Sequence, residues 1–281
     1  MQKTDFDEVR KHFREAYKGI FPNDAQFERH FKDTIELETS YNLLRMVQDN
    51  TGITPDTRIL DIGCGFGTFV LACRKEGYPA YGIDTAEFEI EFARKRFKSE
   101  LPDCADGETY QLGRAEALPF ESQSFDIITL WNLLEHVPDY RKALGEADRV
   151  LKQGGYLLLI SPNYLSLRRE AHYHIPWIPL LPRVLAKFYL RANGRNPSFF
   201  INSIFYVTNL GVLRWLRGNY RLVIPEIRKV QNPDLCISES KASLLRKARL
   251  FKVGGLLKIL IHLVYLNPLK KGIVLCARKK F

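Results

Sequence analysis

The sequence predicts an α/β domain built on a doubly wound, mostly parallel sheet, and three observations carry that prediction. Short apolar runs alternate with amphipathic stretches from residue 58 onward. The runs are continuously apolar, as strands covered on both faces are. A glycine-rich turn follows the first of them directly. In chain order, residues 58–62 read as a strand, 69–76 as a helix, 81–84 as a strand and 87–98 as a helix. Residues 109–112, 126–131 and 156–161 give three further strands, the last preceded by a helix over 139–152 that Gly154 and Gly155 would close as a C-cap. Ahead of this series, Phe27, Phe31 and Ile35, then Leu43, Leu44 and Val47, fall at helical spacing and predict two helices within residues 1–52. The rhythm breaks at Pro162. Pro176, Pro179, Pro182 and Pro197 stand among aromatic residues, which suits a cap of short helices better than another βα unit. It resumes with a helix over 208–216, a strand over 221–227 and a last strand over 273–277. The expected organisation is N-terminal helices (1–52), a ligand-binding core (53–162), a lid or acceptor-binding insertion (163–205) and a closing part (206–281) interrupted by a basic, apolar helical insertion at about 238–268.

Composition narrows the function classes. A chain of 281 residues, 46% apolar, is globular and long enough for a sizeable core, which excludes a disordered tail and a small disulfide scaffold. Its five cysteines are odd in number and lack zinc-ligand spacing, so a reducing compartment is expected. The first 15 residues are charged and carry no apolar signal region, so the expected location is cytoplasmic. The net charge of +10 conceals a contrast: residues 1–160 carry −8 and residues 161–281 carry +18. Such a contrast points to an anionic partner for the C-terminal part: phospholipid, nucleic acid or a phosphorylated substrate. The stretch 256–266 is markedly apolar but too short to span a bilayer, which needs about 20 apolar residues.

The sharpest motif is Asp61-Ile62-Gly63-Cys64-Gly65-Phe66-Gly67-Thr68. It follows a strand and opens a helix, so backbone N–H groups and the positive helix end face a ligand there. A dinucleotide fingerprint would need glycine at Thr68, and a phosphate loop would need a lysine; both are missing. Asp84 ends the next strand, where a carboxylate can accept both hydroxyls of a ribose. The expected ligand is nucleoside-like and lacks a pyrophosphate.

With these residues in place, the chain resembles the class I S-adenosylmethionine-dependent methyltransferases, in particular their small-molecule and quinone-type branch. The resemblance runs from about residue 58 to 162 and more weakly over 208–280. It is carried by the loop of residues 61–67, Gly82-Ile83-Asp84, Ala115-Glu116-Ala117-Leu118-Pro119-Phe120, Ser124-Phe125-Asp126, Leu134-Glu135-His136-Val137-Pro138 and Leu151-Lys152-Gln153-Gly154-Gly155. It implies a Rossmann-like, seven-stranded sheet whose last strand is antiparallel, and S-adenosyl-L-methionine as the cofactor. It also implies cofactor contacts at Asp61, Gly63, Cys64, Gly65 and Gly67, at Asp84 and Thr85, at Ala115 and Glu116, and at Trp131. Arg114 stands where the branch has an aspartate, which leaves adenine to backbone groups and Glu116.

A hydroxyl acceptor needs a base near neutral pKa, and His136 and His172 are the catalytic candidates, with His174 nearby. A quinone-pathway group of the family uses Glu-x-x-Glu-His to bind a metal; this chain reads Asn132-x-x-Glu135-His136, one carboxylate short, so no metal is expected. The lid interleaves Tyr173, Trp177, Phe188, Tyr189, Phe199, Phe200 and Phe205 with Arg168, Arg169, Arg183, Lys187, Arg191 and Arg195. This pattern suits a headgroup region or a nucleic-acid backbone, and the apolar stretch 256–266 favours the membrane. The leading expectation is O-methylation of a small hydrophobic or lipid-linked acceptor, glycan- or quinone-like, at a membrane surface. An RNA methyltransferase and a non-catalytic cofactor-binding protein are the alternatives.

Overall fold

The computed structural model describes residues 3–21, 23–104, 108–166, 169–224 and 272–281, with single positions at 259, 263, 264, 267 and 270. Three helices open the chain: α1 (Lys3–Ala16), α2 (Asp24–Ile35) and α3 (Leu37–Thr51). The sequence predicts two. Val9 and Phe13 of α1 bury against Phe27 and Phe31 of α2, and extended backbone at Glu36 separates α2 from α3. Asn23 caps α2 by accepting from the Gln26 N–H, and Gly52 closes α3 in the left-handed conformation.

The core then alternates β1 (Ile59–Ile62), α4 (Thr68–Lys75), β2 (Ala80–Asp84), α5 (Glu87–Glu100), β3 (Tyr110–Leu112), β4 (Phe125–Trp131), α6 (Tyr140–Val150) and β5 (Leu151–Pro162). Helices α7 (Arg183–Ala192), α8 (Ser198–Ser203) and α9 (Asn209–Leu216), with strands β6 (Tyr220–Leu222) and β7 (Gly272–Lys279), complete it. The seven strands form one sheet in the order β3-β2-β1-β4-β5-β7-β6. β1 to β5 are parallel, and β7 runs antiparallel between β5 and β6. This is the doubly wound, Rossmann-like sheet the sequence predicts. The order reverses beside β1, so the crevice at the carboxyl ends of β1, β2 and β4 is the place for a ligand.

Gly154 and Gly155 do not cap a helix. α6 stops at Val150, Leu151 already pairs with Phe125, and the register shifts before Ile127 pairs with Tyr156. Gly154 takes a φ of +75° inside β5, and a Cβ on Gly155 would meet the Asp126 carbonyl oxygen at 2.8 Å. The pair therefore serves an irregularity of the strand, where backbone approaches backbone.

The segment after Pro162 packs as part of the core. Tyr173, Trp177, Ala186, Leu190 and Phe200 bury in the same cluster as Leu130, Leu157 and Leu159 of the sheet. Tyr17 at the end of α1 meets Phe199 of α8, with ring centroids 5.6 Å apart, so the N-terminal helices and the lid touch above the carboxyl edge. Of the strand predicted over 221–227, β6 is its described part, and residues 225–227 lie outside the described residues. So does almost all of the basic, apolar insertion at about 238–268, as does Arg168.

Candidate active site

The three glycines after β1 adopt positive φ, and their surroundings differ. Gly63 (φ +77°) lies under Leu133, whose side chain would sit 2.6 Å from an added Cβ. Gly67 (φ +70°) lies against Tyr110 and Ala93, at 2.4 and 2.7 Å from the same imagined atom. Gly65 (φ +50°) alone meets a mobile group, the Glu89 carboxylate at 3.0 Å. Two of the three are thus demanded by packing, and Gly65 is the one whose open side is lined by acids. The loop is pinned from below, where the N–H groups of Gly63 and Cys64 both donate to the Ile83 carbonyl, at 2.8 and 3.1 Å. No side chain caps α4, which leaves its amino end for a ligand.

Asp84 ends β2 beside this loop. Its Oδ2 accepts from the Gly65 N–H at 2.8 Å and its Oδ1 from the Ala86 N–H at 3.0 Å. Each oxygen keeps lone-pair capacity for a sugar hydroxyl. Glu89, in the first turn of α5, is pushed up to about 8 by burial and by the neighbouring Asp84. Asp61 is buried in β1 and likewise raised to about 8, chiefly by burial and against the Thr129 hydroxyl that donates to it at 2.6 Å. Around this loop, Thr129 and Glu89 are the residues sequence reasoning missed. Thr129 stands directly across from Asp61 in the β1–β4 register, so strand pairing was the signal that would have found it.

The other expected contacts are placed as follows. Trp131, at the end of β4, packs edge-on against Phe69, and its buried indole N–H has no partner. Cys64 turns its thiol inward over Gly82, and its N–H donates to the Ile83 carbonyl. Ala115 is buried, Glu116 is half-buried with Arg114 3.8 Å away, and Thr85 is exposed. A carboxylate pair beside Gly65, an uncapped helix end and an orphaned indole N–H fit a ligand that has a ribose and an amino-acid tail.

A second group of side chains stands beyond β4. Asn132 takes a φ of +52°, a conformation that asparagine tolerates, and the chain then winds through a short 3-10 turn, Leu134–His136. Glu135 is fully buried; its Oε2 accepts from the Ser161 hydroxyl at 2.9 Å, and its Oε1 has no partner. His136 places Nδ1 2.8 Å from the Ser203 carbonyl, and a carbonyl can only accept, so Nδ1 carries the proton. From the lid, His172 places Nδ1 3.2 Å from Glu170. Glu170 also accepts from the Tyr164 hydroxyl and from the N–H groups of His172 and Tyr173. The two imidazoles pack at 5.2 Å between centroids, so the structure brings together both candidates the sequence named.

Electrostatics separates them. Burial, reinforced by His172, holds His136 down at about 4, and burial lifts Glu135 to about 7. Burial opposes the charged forms of Glu170 and His172 as well, but their mutual hydrogen bond and attraction outweigh it, lowering Glu170 and raising His172. His174 (φ +55°) stays outside the cluster. It lines a neighbouring cavity of about 570 Å³ together with Asn132, Ser161, Tyr164, Glu170 and Trp177.

Comparison with known proteins agrees with this architecture. A family model described as a methyltransferase domain matches residues 60–159. Demethylmenaquinone methyltransferase of Staphylococcus aureus (strain JH9) is 31% identical over 183 residues, 62% of this chain and 73% of that protein. Among solved structures, an S-adenosylmethionine-dependent methyltransferase from Mesorhizobium loti superposes with a TM-score of 0.51 at 19% identity, covering 86% of this chain and all of the other (100%). The [4+2]-cyclase SpnF does so with a TM-score of 0.50 at 19% identity, covering 85% and 81%. These two likenesses speak for the fold. The crevice of Gly65 and Asp84, the family match and the relative together make the chain a member of the class I S-adenosylmethionine-dependent methyltransferases, an enzyme with S-adenosyl-L-methionine as its cofactor.

Proposed function

We propose that this enzyme O-methylates a small hydrophobic or lipid-linked acceptor, glycan- or quinone-like, at a membrane surface. Asp61, Gly63, Cys64, Gly65, Gly67, Asp84, Thr85, Ala115, Glu116 and Trp131 hold the cofactor in this reading. His136 and His172 deal with the acceptor's proton. The observation that carries it is the His172–Glu170 pair beside the 570 Å³ cavity. Methyl transfer from a sulfonium is an in-line displacement, in which alignment and exclusion of water are most of the catalysis. A hydroxyl acceptor must in addition lose a proton, and an imidazole braced by a buried carboxylate is the group suited to take it.

The membrane part of the reading draws on the outer face of the lid. Val184, Leu185 and Phe188 on α7, with Ile178 and Leu180 just before it, are exposed large apolar residues. They are interspersed with Lys187 and Arg191, while Arg183 turns inward to the carbonyls of Ile201 and Ile204, and α7 contains no acid. An apolar strip with a basic fringe matches an anionic bilayer surface. Among the described residues no helix is long and apolar enough to cross a membrane. The relative's printed name makes a quinone precursor the first acceptor to try.

The test offers the full chain methyl-labelled cofactor with hydroxylated quinones and polyprenyl-linked glycans. Flotation with anionic and neutral vesicles, and an RNA gel shift at matched salt, run alongside. Label in an organic-extractable methyl ether and flotation with anionic vesicles support the proposal. Label in RNA, or a shift with RNA and none with vesicles, contradicts it.

A further inference from the structure

The Glu135, His136 and His172 side chains converge in a way that proton transfer does not use up. One nitrogen of each ring and one carboxylate oxygen all lie within 4.8 Å of one another. The outward-facing chemistry of each ring is already fixed. His136 spends its Nδ1 proton on the Ser203 carbonyl, and His172 directs Nδ1 at Glu170, so in the neutral rings Nε2 is the nitrogen left to bind an ion. The buried Oε1 of Glu135 is likewise an acceptor without a donor. These three groups are close enough to share one cation, which would take the place of the protons that otherwise keep them apart. An imidazole whose other nitrogen donates to a carbonyl or a carboxylate is, moreover, the usual setting of a metal-bound histidine.

We infer that Glu135, His136 and His172 form a binding site for one divalent first-row transition ion, with Ser203 and Glu170 orienting the two rings. Two imidazoles and one carboxylate suit zinc or iron(II) and are poor ligands for magnesium or calcium. Asn132 stands where the quinone-pathway motif has its first carboxylate, and here the third ligand comes from the lid. The ion therefore ties the lid to the turn after β4. The inference departs from the metal-free expectation of the sequence and rests on the proposed acceptor site. An acceptor hydroxyl at an open position of the ion would release its proton to water, and its oxygen would gain the methyl carbon as the carbon–sulfur bond breaks. With the ion bound, the rings act as ligands and the ion takes over their part in removing that proton.

The test uses the full chain, stripped with chelator and titrated with zinc chloride in a calorimeter, with cobalt(II) absorption as a second readout. Binding of S-adenosylhomocysteine is measured on every variant, which separates failure of this inference from failure of the cofactor site or of folding. One equivalent of zinc is expected, with affinity lowered at least tenfold by His172→Ala and by Glu135→Gln, and by roughly 10- to 100-fold by Glu170→Gln. Cobalt d–d bands without thiolate charge transfer would agree even if a variant fails to fold. Absence of stoichiometric zinc, zinc affinity unmoved by His172→Ala and Glu135→Gln, or a thiolate spectrum would overturn the inference.

Discussion

The Asp84 carboxylate accepts the N–H of Gly65 at 2.8 Å, so the acid at the end of β2 and the middle glycine of the loop after β1 are a single unit. Folding thereby positions the proposed sugar-binding group and the loop backbone together. Asp84→Ala removes both the ribose acceptor and the tie. Its affinity for S-adenosylhomocysteine should fall by about 1.5–3 kcal/mol, the scale of hydrogen bonds to a charged group. An unchanged dissociation constant by calorimetry would remove Asp84 from the site.

Gly67 and Gly52 share a positive φ but not their surroundings. The Tyr110 hydroxyl donates to the Gly67 carbonyl at 2.9 Å and its ring fills the space a Cβ would need, whereas nothing lies within 4 Å of one on Gly52. Gly52→Ala should cost about 1 kcal/mol, the ordinary price of a left-handed alanine. Gly67→Ala should cost at least about 1–3 kcal/mol more through overpacking. Equal costs in denaturant titrations would show that Tyr110 yields freely.

Asp61 gives a pH dependence with a definite sign. It is raised from 3.8 to about 8, so the folded chain keeps a proton that the unfolded chain has released. Stability contributed by this proton is fully present at low pH and is lost as pH rises through that window. Asp61→Asn abolishes this loss. Relative to wild type, the variant should gain about 1.4 kcal/mol per pH unit between roughly pH 5 and 8, while its cofactor affinity drops. Parallel stability profiles for the two proteins would contradict the assignment.

Val184 and Phe188 are 69% and 60% exposed, so changing them leaves the core intact. Val184→Glu combined with Phe188→Glu should abolish flotation with anionic vesicles and leave the circular dichroism spectrum and melting temperature unchanged. Undiminished flotation would move the membrane contact away from α7.

The sheet was legible because its strands are continuously apolar and a glycine turn marks the first crossover. β1, for instance, is buried at every position. The glycine loop and Asp84 stood out in the sequence because the residue types that a tight turn and a ribose require are few, and their contact with the cofactor is the proposal made above. Glu89 was hidden because a glutamate in the first turn of a helix is ordinary, and only the fold sets it against Gly65. Helix α1 was missed because charged residues interrupt its apolar face, whose partners Phe66 and Phe92 come from the core. Gly154 and Gly155 misled because a glycine pair after a helical pattern looks the same whether it ends the helix or bends the following strand. Glu170 could not have been found at all, since its role rests on donors from Tyr164, His172 and Tyr173 that meet only in the folded lid.

A crystal soaked with S-adenosylhomocysteine tests most directly whether cofactor seats against the turn of Gly63, Gly65 and Gly67. Density is expected along that turn, with both ribose hydroxyls on Asp84. Density at another place on the chain, with the turn and Asp84 untouched, would contradict it.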